Sequence, residues 1–333
     1  MFAIVLVGGF GTRLRPLTEH TPKQMLPVCG IPMIEWVVGG LADHGVEKVG
    51  LAMGYRPDAF LDAYPDGQIA EIPYQVAVEN EPLGTAGAVR FAVEQFQTEE
   101  TFLVLNGDVL TDLDIGSLVR FHLDRGAAAT IALQPVDDPS SFGVVTTNRD
   151  GRVKEFVEKP EKSSAPSNNI NAGTYVLEPS VIGQIAVGRQ VSIERETFPK
   201  LAADGTLYAL PSPTYWLDTG TPQQFIQANL DVLNGKRNKR PPLPTAKFHQ
   251  SSIVAESVVG TGSEVGVDAT IERSVLFKGC KIGSQSVVVD SVLCDEVHVG
   301  EGARLEGCVI GLGQRIEPGE ILIGERRPEQ DSL

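Results

Sequence analysis

Cysteine is scarce and unpatterned in this chain. The 333 residues include four, Cys29, Cys280, Cys294 and Cys308, with no C-x-x-C pair and no histidine at zinc spacing. A zinc knuckle and a redox dithiol are thereby excluded, and the four read as small buried thiols. The five histidines are scattered, none placed with serine or cysteine for nucleophilic catalysis. Cations are outnumbered, 28 Lys and Arg against 43 Asp and Glu, for a formal charge of -15. Nucleic acid and anionic membrane surfaces both demand a basic face, so neither is expected as a partner. No apolar run approaches the ~18 residues of a membrane span. The apolar start lacks a basic leader and reads as a first core strand, not a signal peptide. The expected location is the cytoplasm.

Two nucleotide fingerprints are missing as well. The apolar run Ala3-Ile4-Val5-Leu6-Val7 leads into GGFGTRLRPLTEHTPKQMLPV, residues 8 to 28. A Walker loop would close with Gly-Lys-Ser/Thr, but Gly11 is followed by Thr12 and Arg13. A dinucleotide fingerprint would place glycine at position 14, which is Leu14. What the stretch does offer is a buried strand ending in glycines, followed by Arg13, Arg15 and Lys23. Glycines let backbone N–H groups approach an anion, and fixed cations supply countercharge. The expected ligand is a polyphosphate, held by local cations in an acidic protein.

Up to about residue 233, short apolar runs alternate with helical patterns, the rhythm of an open α/β sheet. Strands are expected at 3–7, 48–53, 73–78, 101–106, 127–135 and 170–177. One helix is expected after Pro32, with that proline in its first turn, and another from Gly84-Thr85-Ala86-Gly87. Residues 234 to 247, NGKRNKRPPLPTAK, read as a linker. Beyond it apolar residues recur every five or six positions: Ile253, Val259, Val265, Ile271, Phe277, Ile282, Val288, Leu293, Val299, Leu305, Ile310, Ile316 and Leu322. That period is the hexapeptide signature of a parallel β-helix, and thirteen inward positions make about four coils. Glycines at 260, 262, 266, 279, 283, 300, 302 and 307 suit its corners. The domains are thus 1–233, a linker 234–247, and a β-helix 248–333.

Three further stretches join the glycine turn: Asn106-Gly107-Asp108, Phe156-Val157-Glu158-Lys159-Pro160, and Tyr215-Trp216-Leu217-Asp218-Thr219-Gly220. With GGFGTRLRPLT, and with EPLGTAGAV, INAGTYVLEP and SIERETFPKL, they resemble the sugar-1-phosphate nucleotidyltransferase family, and most closely its mannose-1-phosphate guanylyltransferases. The likeness spans nearly the whole chain. It implies a Rossmann-like, doubly wound α/β domain with a mixed sheet, then a short C-terminal left-handed parallel β-helix. It implies that the phosphate of a sugar 1-phosphate attacks the α-phosphorus of a nucleoside triphosphate and expels pyrophosphate. Such chemistry needs charge neutralisation and alignment, with no nucleophilic side chain.

By this resemblance Leu6, Gly8, Gly9, Gly11, Thr12 and Arg13 lie against the nucleotide, with Gly84, Thr85, Asn106, Gly107 and Asp108. Arg13 would meet charge on the departing pyrophosphate, and Lys23 would hold the phosphates from another side. Asp108 and Asp218 would hold Mg²⁺, with Mn²⁺ as an alternative. Lys159 would grip the sugar phosphate, Glu158 would accept from sugar hydroxyls, and Gly143 and Asn171 resemble the remaining sugar contacts. Guanine presents N–H donors, so a carboxylate beside the base favours GTP; Glu81 is the candidate. Position 24 departs from the guanylyltransferase pattern, which usually has proline there. Gln24 is what glucose-1-phosphate thymidylyltransferases often carry. Other nucleotide and sugar pairs therefore stay open, as do a non-catalytic nucleotide-sugar-sensing subunit and acyl transfer on the β-helix with His298 as base. A homo-oligomer, assembled through the β-helix, is the expected state.

Overall fold

The computed structural model describes residues 1–54, 56–237 and 245–328. They gather into two compact units. The first comprises Met1–Gly9 with Ile34–Trp216, and the second Phe10–Met33 with Leu217–Leu333.

The first unit is built on a ten-stranded mixed sheet. Strand Phe2–Leu6 runs between Phe102–Asn106 and Lys48–Met53, parallel to both, and Ile72–Val78 extends the parallel part. Ala3, Ile4 and Val5 have no exposed surface. Burial on both faces explains why this strand reads as an unbroken apolar run instead of an alternating one. Asn169–Leu177 turns the sheet antiparallel, pairing with both Phe102–Asn106 and Ala129–Pro135. The hairpin Gly143–Thr147 with Val153–Glu158 forms the far edge. All six expected strands are present, each within two residues of its expected bounds.

Helix Gly84–Phe96 starts at the expected glycine and buries Ala86, Val89, Ala92 and Val93 in the sheet's core. Gly84 has φ +75, and a Cβ there would lie 2.6 Å from the Val191 carbonyl. Only glycine fits both demands. The helix after Pro32 differs slightly from expectation. Pro32 closes a two-residue strand, Ile31–Pro32, and the helix begins one residue later, Met33–Val38.

In the second unit the expected β-helix forms, with three parallel sheets of five strands each among the described residues. Its coils are 17 residues long: Lys247, Glu264, Lys281, His298 and Arg315 stand in register. A 17-residue coil is three hexapeptides less one position, which is why the sequence period slips between five and six. Five coils replace the four expected. Two of the thirteen inward assignments also need correction. Leu276 fills the core where Phe277 was expected, and Phe277 packs edge-on against Phe225 of helix Pro222–Leu233 at 6.0 Å. Ile253 stands in register with Thr270 on the outward side and is 57% exposed, while the residue aligned with the inward Ile271 is Val254.

The predicted corner glycines divide into two kinds. Gly262, Gly279, Gly302 and Gly307 have positive φ. At Gly260, Gly266, Gly283 and Gly300 a Cβ would come within 2.4 to 2.8 Å of backbone in the next coil. Part of the linker, residues 238–244, lies outside the described residues.

The same unit holds the segment Phe10–Met33. Cys29 donates its amide to Asn229 Oδ1 at 2.7 Å and its thiol to the Asn229 carbonyl at 3.2 Å. All four cysteines are free and buried. Burial pushes the thiols of Cys29 and Cys280 up to about 12, as expected of inert packing groups.

Candidate active site

In the first unit the carboxyl ends of the parallel strands carry the first group of predicted residues. The Leu6 carbonyl accepts from the Gly107 amide at 3.0 Å, and the Val7 amide donates to the Ala52 carbonyl at 2.8 Å. Both neighbours thus lock the end of the first strand, which leaves the sheet at Gly8 and Gly9. A Cβ at either glycine would meet no atom within 4 Å, and Gly9 has φ +90. The protein leaves free the space a ligand pressed against this backbone requires. The same Gly107 bond fixes the turn that carries Asp108, at the sheet edge where α/β folds place ligands. Asn106 is fixed by Gly173, where a Cβ would lie 2.6 Å from its Nδ2.

A second group gathers at the hairpin. Gly143 stands opposite Glu158 in register, and a Cβ there would come within 2.9 Å of Glu158 Oε2 and 2.5 Å of Phe156. Lys159 takes φ +50, with its amide donating to the Phe142 carbonyl at 3.0 Å. Its Nζ lies 3.9 Å from Glu158 Oε1, with the lysine side chain 58% exposed. The Phe142 ring meets Trp216 edge-on at 5.5 Å, and the indole N–H donates to the Ala172 carbonyl at 2.9 Å. Asn171 donates from Nδ2 to the Tyr175 hydroxyl at 2.9 Å and accepts at Oδ1 from the Gly173 amide at 2.9 Å. Its amide therefore shapes the register shift between Asn171 and Tyr175.

Glu194 belongs with this group, and sequence reasoning missed it. It sits on a π-helical turn, Ile193–Thr197, a form that often marks functional positions. Its Oε2 accepts from Thr85 Oγ1 at 2.8 Å and from Ser192 Oγ at 2.7 Å. Thr85 in turn accepts from the Ile193 amide at 2.8 Å, so its hydroxyl serves to hold Glu194. Burial, then repulsion from Glu194, raises the carboxyl of Glu158, and Lys159 and Arg195 oppose that rise. The stretch SIERETFPKL contains it, two residues after Ser192. On the loop before Gly84, Glu79 accepts from the Leu83 amide at 2.9 Å, and Glu81 is exposed.

The second unit brings together three predicted residues. Gly11, at φ +58, accepts from Thr18 Oγ1 at 2.9 Å and opens a 3-10 turn, Thr12–Leu14. Leu14 is buried, while Thr12 and Arg13 are exposed. Lys23 is 8% exposed, and its Nζ is 3.7 Å from Asp218 Oδ1. A Cβ on Gly220 would lie 2.9 Å from Arg13 Nη2 and 3.2 Å from Asp218 Oδ2. Arg13 and Asp218 therefore meet at Gly220, and Lys23 reaches the other oxygen of the same carboxylate. Among the described residues no three or more His, Cys, Asp or Glu side chains gather as a metal site.

The family model described as nucleotidyl transferase matches residues 2–235. The chain belongs to the nucleotidyl transferase family. A second model, described as the GlmU-like C-terminal hexapeptide, matches residues 244–332. A mannose-1-phosphate guanylyltransferase of Mycobacterium tuberculosis is 38% identical over 302 residues, covering 86% of this chain and 82% of that protein. Mannose-1-phosphate guanylyltransferase 1 of Arabidopsis thaliana is 37% identical, covering 95% and 92%. Among solved structures, a putative glucose-1-phosphate thymidylyltransferase from Bacillus anthracis, in complex with a sucrose, matches with a TM-score of 0.63 and 26% identity. It covers 69% of this chain and 94% of that one. His298 stands between Lys281 and Arg315 in register on the β-helix. No helix among the described residues is long and apolar enough to cross a membrane.

Proposed function

We propose that this nucleotidyl transferase joins mannose 1-phosphate to GTP, giving GDP-mannose and pyrophosphate. The observation that carries the chemistry is the meeting of Arg13 and Asp218 at Gly220, with Lys23 against the same carboxylate. Guanylyl transfer to mannose 1-phosphate is favoured by relatives of that name matching over most of their length. A sugar-phosphate oxygen forms a bond to the α-phosphorus as the bond to the bridging oxygen of pyrophosphate breaks. The electron pair leaves with pyrophosphate, and no side chain is covalently modified.

In this scheme Gly8, Gly9, Gly11 and Thr12 wrap the triphosphate, with Leu6, Asn106, Gly107 and Gly84 beside the nucleotide. Arg13 and Lys23 neutralise the phosphates, and Glu81 accepts from guanine. Lys159 holds the sugar phosphate while Glu158, joined by Glu194, accepts from sugar hydroxyls near Gly143 and Asn171. Thr85 acts by holding Glu194.

The family's divalent cation fits the donor set. Asp108 and Asp218 are hard oxygen ligands, and Mg²⁺ is commonly bound through one or two carboxylates plus substrate phosphates. When bound, the cation supplies charge neutralisation on the phosphate oxygens. We take it to be Mg²⁺, acting in a cytoplasmic homo-oligomer whose catalytic domain spans 1–233 and whose β-helix spans 248–333.

The runner-up keeps the chemistry and changes the substrates, as Gln24 suggests. A panel of GTP, ATP, UTP and dTTP against mannose and glucose 1-phosphates, read by pyrophosphate release with Mg²⁺, separates the two. GTP with mannose 1-phosphate is expected to give the highest kcat/KM. Preference for dTTP with glucose 1-phosphate overturns the substrate assignment, and nucleotide-sugar binding without turnover on any pair favours a sensing subunit.

A further inference from the structure

The 3-10 turn that presents Arg13 is tied down from a distant part of the chain. Within the turn, backbone amides bond to the carbonyls of Gly11, Thr12 and Leu14. The carbonyl of Arg15 is taken instead by Arg326, whose Nη1 donates to it at 2.7 Å across 311 residues of sequence. Arg326 lies on Arg326–Arg327, the last described strand of the β-helix, in register with Val309.

The contact has an apolar seat beside it. Pro16 is buried, and it stands over Gly311, where a Cβ would lie 3.2 Å from Pro16 Cβ and 3.0 Å from the Arg327 carbonyl. Leu14 and Leu17 are buried as well, at 0% and 3% exposure. Arg327, the next residue, is braced by Glu320 at 2.9 Å and Glu325 at 3.2 Å, and the Gly311 amide donates to its carbonyl at 2.7 Å. The strand that delivers Arg326 is thus held by its pairing with Val309–Ile310 and by the ion pairs of Arg327.

An exposed arginine at the tip of a glycine-rich turn has many conformers, and only those aimed at the leaving phosphate assist the reaction. Holding the backbone two residues away limits that spread without touching the substrate. We propose that Arg326 is a positioning residue: the last coil of the β-helix clamps the turn carrying Arg13, making the β-helix part of the catalytic apparatus. This rests on the assignment of Arg13 to the triphosphate.

The test uses full-length Arg326→Ala and Arg326→Lys, with steady-state kinetics on GTP and mannose 1-phosphate and hydrogen exchange across residues 12–19. A charge-assisted bond to a carbonyl sets the expected loss in kcat/KM for GTP at about 10- to 100-fold in the alanine variant. KM for mannose 1-phosphate should stay within about twofold, since no sugar contact is touched. The amides of Leu14, Arg15 and Leu17 should exchange faster, and lysine should restore part of both effects. Should Arg326→Ala fail to fold, Gly311→Ala crowds the same seat while keeping the arginine, and the same two readouts apply. Unchanged GTP kinetics and unchanged exchange would overturn the proposal. So would a lowered Tm with no local change in exchange across residues 12–19. If the unaltered protein turns over neither substrate, the functional assignment fails, while the exchange result still decides whether Arg326 holds the turn.

Discussion

Replacing Asp108 and Asp218 together by alanine is expected to lower turnover by ~10³-fold or more, with Mg²⁺ and both substrates saturating. A divalent cation stabilises transition-state charge by several kcal/mol, and each ~1.4 kcal/mol is tenfold in rate. These two carboxylates are its proposed protein ligands. Asp108 sits on a turn fixed by the Leu6–Gly107 bond, so its loss should leave the sheet intact. Asp218 requires more care, because it stands 3.7 Å from Lys23, which is 8% exposed. Removing one member of such a pair leaves a charge partly desolvated and costs stability. Asp218→Asn keeps the volume and a hydrogen-bonding oxygen, and it is the variant to compare by kinetics and thermal melting. Turnover in the doubly substituted protein within tenfold of the original would remove both aspartates from the mechanism.

Arg13→Ala is expected to cost ~10³-fold in kcat, the scale seen where an arginine meets transition-state charge on a phosphoryl group. The side chain is exposed, so folding stability should change by no more than ~0.5 kcal/mol. Loss of rate without loss of stability separates a catalytic arginine from a solvated loop charge. Gly220→Ala provides a graded companion, since its Cβ would press on Arg13 Nη2 from 2.9 Å and on Asp218 Oδ2 from 3.2 Å. Its loss in kcat should be smaller, about tenfold, because a flexible guanidinium can shift where a deleted one cannot. Comparable melting temperatures with full activity in Arg13→Ala would return this residue to the solvent.

Much of the architecture was legible because burial on both faces writes itself as apolar runs. The strand at 2–6 announced the centre of the sheet in that way, and the repeat after residue 247 announced the β-helix. What the repeat hid was its 17-residue length, since counting in sixes put Phe277 inward and left Leu276 unassigned. The chemistry of a charged side chain was legible too, but its neighbours were not. Thr85 matched a nucleotide-loop motif, yet its hydroxyl is committed to Glu194 and Ile193 more than a hundred residues away. Glu194 itself was invisible because a π-helical turn has no signature in propensity or period. Arg326 was hidden more deeply, as its partner is a backbone carbonyl and carries no residue identity to match.

The central claim is that sugar phosphate and nucleotide are brought into direct contact by charge neutralisation, with no enzyme-bound intermediate. The stereochemical course at the α-phosphorus tests it most directly. Chirally pure guanosine 5′-O-(1-thiotriphosphate) and mannose 1-phosphate should yield the thio analogue of GDP-mannose with inverted configuration, the outcome of a single in-line displacement. Retention of configuration would mean two successive displacements through a nucleotidylated side chain, and would contradict the mechanism derived from Arg13, Lys23, Asp108 and Asp218.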